Sequence, residues 1–599
     1  MSIPMPLAAV LMAVSVPGLL LADDTETLEL TPILVVTPSR GVEPLGESLA
    51  SVSVISREDI GLSAAEDLFE LLRLQPGVDI VRTGGPGTQT SIFLRGSNSN
   101  HVLVLIDGVR VSSANTGAYA WEQLPLNMVE RVEIVRGPRG SLYGSDAIGG
   151  VIQIFTRSNP DPHARLTLGT YGATEVEGGW GFRGDRTRIS INAGYRNVEG
   201  FSAQNPGGFS YDADDDGLEA SSLGVSGSTE ADYGGWQYNL LATENRSEFD
   251  QGHSDAEQTV ASLGFLGAFS PDWDYQLAGG YVRDDLFTDF ESYTTDFASR
   301  RYSLSWQNQL HMQSRGQFNF GLDFYRERGS SAESWDQSRR NAGLFASYDA
   351  AWQRLHLQLG TRLDDNSRFG SEFTGQLALG YDIGEAWQLT GSYGSAFRGP
   401  NLSEQFSPGF GGFFAGNPDL DPESSASTEI GLRWRHDSLG QVSAVAYRTD
   451  VDDLIAFNGE RYQAVNVDRA RLQGIEFEYT LARAGWLLRA NATLQDTEDL
   501  ATGNELLRRP ELKGTLTLDR RFANGSWIGL EWFHSGQSMD FGGITLDRYD
   551  LLNLRAGWAV TSAWRMELRG VNLADESYEP AYGFNAAGRS WYLSLSWLP

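Results

Sequence analysis

From about residue 160 to the last residue, apolar and polar side chains alternate with a period of two. Phe318, Phe320, Leu322 and Phe324 are separated by Asn319, Gly321 and Asp323. Leu355, Leu357 and Leu359 are separated by His356 and Gln358, and Trp591, Leu593, Leu595 and Trp597 by Tyr592, Ser594 and Ser596. This period marks strands, because successive side chains then point to opposite faces of a sheet. No helical pattern interrupts it. In a soluble sandwich the apolar face meets a second sheet; in a membrane barrel it meets lipid, and the polar face lines a wet lumen. Aromatic residues at strand ends, with Gly and Ser on the other face, favour the barrel. Beyond residue 22 there is no run of 18 apolar residues, and closed barrels are the spanning alternative to helices. At roughly 20 residues per strand with its turn, residues 160–599 hold about 22 antiparallel strands. A lumen that wide needs a filler if it is not to leak.

The N-terminal part has a different texture. Residues 7–21 form an apolar run broken by Pro17 and Gly18 and followed by Ala22 and Asp23-Asp24, which reads as a signal peptide over residues 1–22. The rival is a single membrane anchor, for which the run is short of the ~20 residues a bilayer span needs. Residues 44–158 read as a small α/β domain. Ser63-Ala64-Ala65-Glu66 has a capping-box spacing ahead of Leu68, Leu71 and Leu72 on one helical face, and Pro76-Gly77 stops that helix. Extended runs follow at residues 91–95, 102–106, 129–135 and 151–156, and Asp107-Gly108 marks a hairpin turn. Such a unit suits the filler.

Composition removes several function classes. The chain has 46 Lys and Arg against 78 Asp and Glu, for a net charge of −32. So acidic a surface is a poor partner for nucleic acid. With no cysteine, disulfides and thiolate-ligated metals are out. Nucleophile-elbow, zinc-protease and phosphate-loop motifs are all missing. The chain therefore reads as a non-enzyme without a nucleotide site, so uphill work would need an energised partner.

Three plug-domain segments carry a resemblance. These are Ser91-Ile92-Phe93-Leu94-Arg95-Gly96, HVLVLIDGVR from His101, and RGPRGSLYGSDAIGGV from Arg136. They resemble the plug of TonB-dependent outer-membrane receptors. Residues 364–370, 400–402, 416–423, 506–509 and 582–584 extend the likeness to the cobalamin-transporting branch of that family. The resemblance implies a 22-stranded transmembrane barrel in the outer membrane of a Gram-negative bacterium, with residues 44–158 as a plug inside it. It also implies a monomer surrounded by outer-membrane lipid and lipopolysaccharide.

By the same resemblance residues 23–43 are a periplasmic segment, and Pro32, Ile33, Leu34, Val35, Val36, Thr37, Pro38 and Ser39 are the Ton box that the partner TonB engages. Flanking prolines discourage helix, and an extended segment can add to a partner sheet through main-chain hydrogen bonds. Substrate contacts carry over to Ser91, Asn98, Thr116 and Gly117 of the plug and to Thr295, Arg508 and Phe541 of the barrel. Structural calcium in the extracellular loops carries over to Asp212, Asp214, Asp216, Asp250 and Asp255, with Phe249 adding its carbonyl. Asp212-Ala213-Asp214-Asp215-Asp216-Gly217 resembles the first half of an EF-hand loop, but Leu223 stands at the twelfth position, where that loop needs Glu. The bland alternative is a solvated acidic loop. Ser202 replaces an expected acid.

Arg95, Arg110, Arg136 and Arg139 lie in or near extended plug segments. Buried arginines require carboxylates, so lumen-facing wall acids are the expected partners. The resemblance implies TonB-driven import of cobalamin or another corrinoid. Its rivals are the same machine for a ferric siderophore or haem, a passive gated porin, and a surface docking protein.

Overall fold

The computed structural model describes residues 33–599, except 291, 314, 315, 333, 410–412, 459 and 461. Residues 1–32, which hold the expected signal peptide, the start of the expected periplasmic segment and Pro32, lie outside the described residues. The C-terminal part is a closed antiparallel barrel of 22 strands, from His163–Gly169 to Ser590–Trp597. Each strand pairs with its sequence neighbour, and closure is made by pairing the first with the last, with Leu166 opposite Leu595 and Ala164 opposite Trp597. Trp597 therefore sits inside the closing strand although the chain ends two residues later.

The alternation read from the sequence becomes an outside and an inside. Leu593 and Leu595 are exposed on the outer face, whereas Ser594 and Ser596 are buried inside. Tyr592, buried on the inner side, belongs to the lumen. A belt of exposed Leu, Phe, Tyr and Trp on a sheet with no covering layer is a lipid-facing surface. The strands also fix the loops. Short turns join strands at one end, as at residues 232–233 and 484–485, whereas the other end carries residues 202–215, 399–422, 500–511, 536–548 and 572–589. Barrels of this kind turn their long loops outward and their short turns to the periplasm.

The plug fills the lumen around a mixed sheet. Its order is Ser51–Ser56, Val129–Arg136, Gly150–Thr156, Val102–Ile106, Val109–Arg110, and the Val102–Ile106 and Gly150–Thr156 strands run parallel. Asp107 and Gly108 both take positive φ, 47° and 81°, as a tight hairpin turn demands. The core of Leu68, Leu72, Ile92, Val104 and Ile152 continues into the wall through Leu241, Val260 and Val282.

One local expectation is corrected. The capping box belongs to Ser56 and Asp59, which start a separate helix Arg57–Leu62; Ser63 ends that helix. The next helix, Leu68–Arg73, is capped by Asp67, whose side chain accepts the Glu70 N–H at 3.1 Å. Ser63 instead accepts the Ala65 N–H, a local turn that competes with helix.

Candidate functional site

The segment that the sequence marks as the expected Ton box is extended at Leu34–Val35, yet it is not loose. Leu34–Val35 forms a two-residue hairpin ladder with Glu43–Pro44. Ile33 and Leu34 are about half exposed, whereas Val35, Thr37 and Ser39 are buried. The Val36 and Thr37 N–H groups donate to Glu133 Oε2 at 3.1 and 2.9 Å, and Arg131 donates to the Leu34 carbonyl. Arg40 next to the box pairs with wall residue Asp323 at 2.8 Å, which also takes Arg362 at 2.6 Å. Strand addition by a partner would therefore first have to free these donors. The flanking prolines gave no sign of that, because Glu133 lies 96 residues away from Thr37.

Wall carboxylates meet plug arginines at mid-lumen. Arg95 lies 2.8 Å from Glu476 and 3.0 Å from Glu429; Arg136 lies 3.3 Å from Glu476 and 2.7 Å from Glu478. Arg110 departs from the expectation, pairing inside the plug with Asp146 at 2.7 Å, and so does Arg139, which is buried with its Nε unpartnered and forms none of the ion pairs to the wall among the described residues. A second network was missed. His101 Nε2 sits 2.5 Å from Glu423, which holds Arg398, which holds Glu404. The Asn98 N–H points at His101 Nδ1, which leaves Nε2 as the protonated donor toward Glu423.

At the outer end, the plug tips and wall loops meet. Thr116 is exposed, and its carbonyl accepts from Asn401 at 3.0 Å; Gly117, at φ 74°, packs close to Asn401. Ser91, in strand Thr90–Leu94, and Thr295, in Thr294–His311, are half-buried. Arg508 and Phe541 come together, with the guanidinium 5.2 Å from the ring centroid and 2.8 Å from Asp540. The neighbouring Arg509, which the sequence did not single out, touches the plug instead. It donates to the Gly96 and Ser97 carbonyls and to Asn98 Oδ1 at 3.2, 3.3 and 2.8 Å. The tandem Arg508-Arg509 was the available signal.

The acidic loop closes on its neighbour. Asp250 accepts the Asp212 N–H at 2.7 Å, and its other carboxylate oxygen is buried without a partner. Asp216 stands at the loop end of a 16-residue strand, above the ~9–11 residues that cross lipid. Burial, then repulsion from Asp250, Asp214 and Glu248, pushes its carboxyl up to about 6. Crowded, under-satisfied carboxylates fit a hard cation, and Glu248 joins the set. Asp255 fits less well, since it faces Arg246 and His253, each at 3.7 Å. The Phe249 ring packs on Phe290. Among the described residues, no three Asp, Glu or His side chains are already gathered as a metal cage.

Comparison with known proteins agrees with this architecture. Residues 44–151 match the TonB-dependent Receptor Plug Domain, and residues 195–573 match the TonB dependent receptor-like, beta-barrel family. The chain is 30% identical to the Vitamin B12 transporter BtuB of Vibrio cholerae, over 94% of this chain and 95% of that protein. Similar solved structures include the ferric enterobactin receptor PfeA of Pseudomonas aeruginosa, with a TM-score of 0.80 at 17% identity, covering 94% of this chain and all of that one. FpvA of the same organism gives 0.81 at 16%, covering 95% of this chain and 88% of that one. With plug, closed barrel and both family matches in one chain, the protein belongs to the TonB-dependent receptors of the bacterial outer membrane, a family of receptors and transporters rather than enzymes.

Proposed function

We propose that the protein imports cobalamin or a related corrinoid into the periplasm, driven by TonB. The observation that carries this reading is the 30% identity, along 94% of the chain, to a protein named as a vitamin B12 transporter. The siderophore receptors share the fold at 16–18% identity, which speaks for the fold alone. The chemistry of the rim is compatible. A corrinoid is large and amide-rich; Ser91, Asn98, Thr116, Thr295 and the Gly117 backbone offer hydroxyl, amide and main-chain partners, and Arg508 with Phe541 offers a cation beside an aromatic face.

In this reading Asp212, Asp214, Asp216 and Asp250, with the Phe249 carbonyl, hold calcium, with Asp255 further off. The ion would supply charge that offsets carboxylate repulsion. The residues themselves join loop 202–215 to the 249–252 turn and so order one side of the rim. Substrate held above the plug is followed by release of the Ton box from Glu133, pairing of the box with TonB, and force on the plug. Residues 1–22 serve as the export signal, and a monomer in lipid and lipopolysaccharide suffices.

Equilibrium binding to the purified protein tests this directly, with cyanocobalamin, ferric enterobactin and haem, each with and without calcium. Cobalamin alone should bind below about micromolar; preference for a ferric chelate or haem would replace the substrate named here. Deletion of residues 34–37 should keep binding and abolish uptake, whereas a passive porin would lose neither.

A further inference from the structure

The plug is held unevenly. Plug residues Arg95, His101 and Arg136 pair at 2.5–3.3 Å with Glu423, Glu429, Glu476 and Glu478, on wall strands between residues 423 and 483, and beyond them Arg489 and Lys513 pair with plug Asp59 and Asp79 at 2.5 and 3.6 Å. Across the four strands Thr174–Arg183, Thr187–Phe201, Asp216–Ala231 and Gly234–Phe249, the one plug-to-wall ion pair among the described residues is Arg196–Glu66, at 3.6 Å. The side-chain hydrogen bonds from those strands to plug residues Glu66 and Glu122 are long, at 3.3 and 3.4 Å, and the short one, from Ser226 to the Arg157 carbonyl at 2.8 Å, lies at the C-terminal end of the plug.

The same side is incompletely filled. A cavity of about 40 Å³ lies between the plug and this wall, and a second of about 60 Å³ shares Asp67, Phe69, Arg82 and Arg196 with it. A third, of about 40 Å³, shares Arg73, Ile80, Tyr549 and Pro580 with the second and reaches Arg508 at the rim. The three form one seam from the rim to mid-lumen along helix Leu68–Arg73. Gly194, Ala220 and Ser222 line the wall there, beside the larger Tyr195, Arg196 and Leu218. Nearby, Met128 rests on Gly224, where any Cβ would come 3.1 Å from the sulfur. Glu66, Asp67 and Glu70 crowd the helix start, and burial together with its two acidic neighbours drives Glu70 up to about 7.

We propose that substrate passes along this seam, between helix Leu68–Arg73 and the wall strands 174–231, while the plug side facing residues 317–483 stays anchored. The proposal rests on the transport reading above. Chain order agrees with it. A pull on the N-terminus reaches first Arg40 and its pair with Asp323, ahead of the plug, then the edge strand Ser51–Ser56, then helix Arg57–Leu62, then Leu68–Arg73, and Arg95 and His101 only afterwards. Edge strands have one partner to lose.

The absence of cysteine allows a clean test. A Cβ at Gly360 lies 3.5 Å from the Ser141 Cβ, within the ~3.5–4.5 Å a disulfide needs. The pair S141C/G360C therefore locks the plug to the anchored wall. Oxidised, it should take up cyanocobalamin within about twofold of its reduced form. S222W and A220W fill the seam from the wall side and should each bind cyanocobalamin normally but transport it at least tenfold more slowly. If the oxidised lock stops uptake and reductant restores it, the plug leaves that wall and the proposal is wrong. If both filled variants transport at the parent rate, the route lies elsewhere. Should the parent protein carry no cyanocobalamin, the substrate reading fails instead, and the same variants are scored with ferric enterobactin.

Discussion

Thr37 gives both of its donors to one oxygen of Glu133: the N–H at 2.9 Å and the hydroxyl at 2.5 Å. Glu133 is fully buried and also meets Arg131 at 2.9 Å. Two hydrogen bonds to a charged group contribute about 1.5–3 kcal/mol each, and every 1.4 kcal/mol is about tenfold in population. Glu133→Ala should release the Ton box at least tenfold more often. A nitroxide at Leu34→Cys would report this as a shift from an immobile to a mobile spectrum, with cyanocobalamin binding unchanged. A spectrum like the parent's would show that other contacts hold the box.

Glu476 separates two plug arginines, Arg95 and Arg136, and is 1% exposed. Removing it leaves Arg95 to Glu429 alone and Arg136 to the part-exposed Glu478 alone, with the inner face of both cations uncovered. Glu476→Ala should cost about 3–5 kcal/mol, the usual penalty for breaking a buried pair from one side. Its neighbour Glu478 also pairs with Arg136, but its side chain is 33% exposed. Water covers that loss, so Glu478→Ala should cost about 1 kcal/mol or less. Unfolding of the plug in detergent, followed by denaturant titration, ranks the two; equal effects would contradict the burial argument.

The acidic loop should show a pH-dependent response to calcium. Asp216 titrates at about 6 in the folded protein, above the ordinary carboxylate value. An acid whose folded pKa is raised stabilises the fold at low pH, and that contribution is lost as pH rises through the folded pKa. Without calcium, stability should thus fall between about pH 4 and 6. Calcium offsets the ionised carboxylates, so it should raise the melting temperature at pH 7.5 and have little effect at pH 5. Asp250→Asn should abolish the difference. Equal calcium stabilisation at both pH values would place any ion away from Asp216.

Arg509 clamps the plug tip through a planar fork that lysine lacks. Arg509→Lys should therefore free Asn98 and weaken cyanocobalamin binding by about tenfold, chiefly through faster dissociation. Stopped-flow dissociation measures it. A variant with the parent's dissociation rate would remove Arg509 and its hold on Asn98 from the binding site.

The sequence alone determined the strands, their facing and the barrel. A period of two is local, and one apolar face on a long antiparallel sheet has few places to go besides lipid. It also marked the plug arginines as in need of acids, because a buried guanidinium cannot stand alone. What it could not give is which acids. Arg95 meets Glu476 across 381 residues, Arg110 turns to Asp146 within the plug, and Thr37 finds Glu133 across the plug sheet. The choice between Arg508 and Arg509 as the residue touching the plug tip was likewise left to the way loop 500–511 folds over it. Such pairings depend on the rotation and depth of the plug inside the closed cylinder, and that geometry exists only once the first and last strands have met.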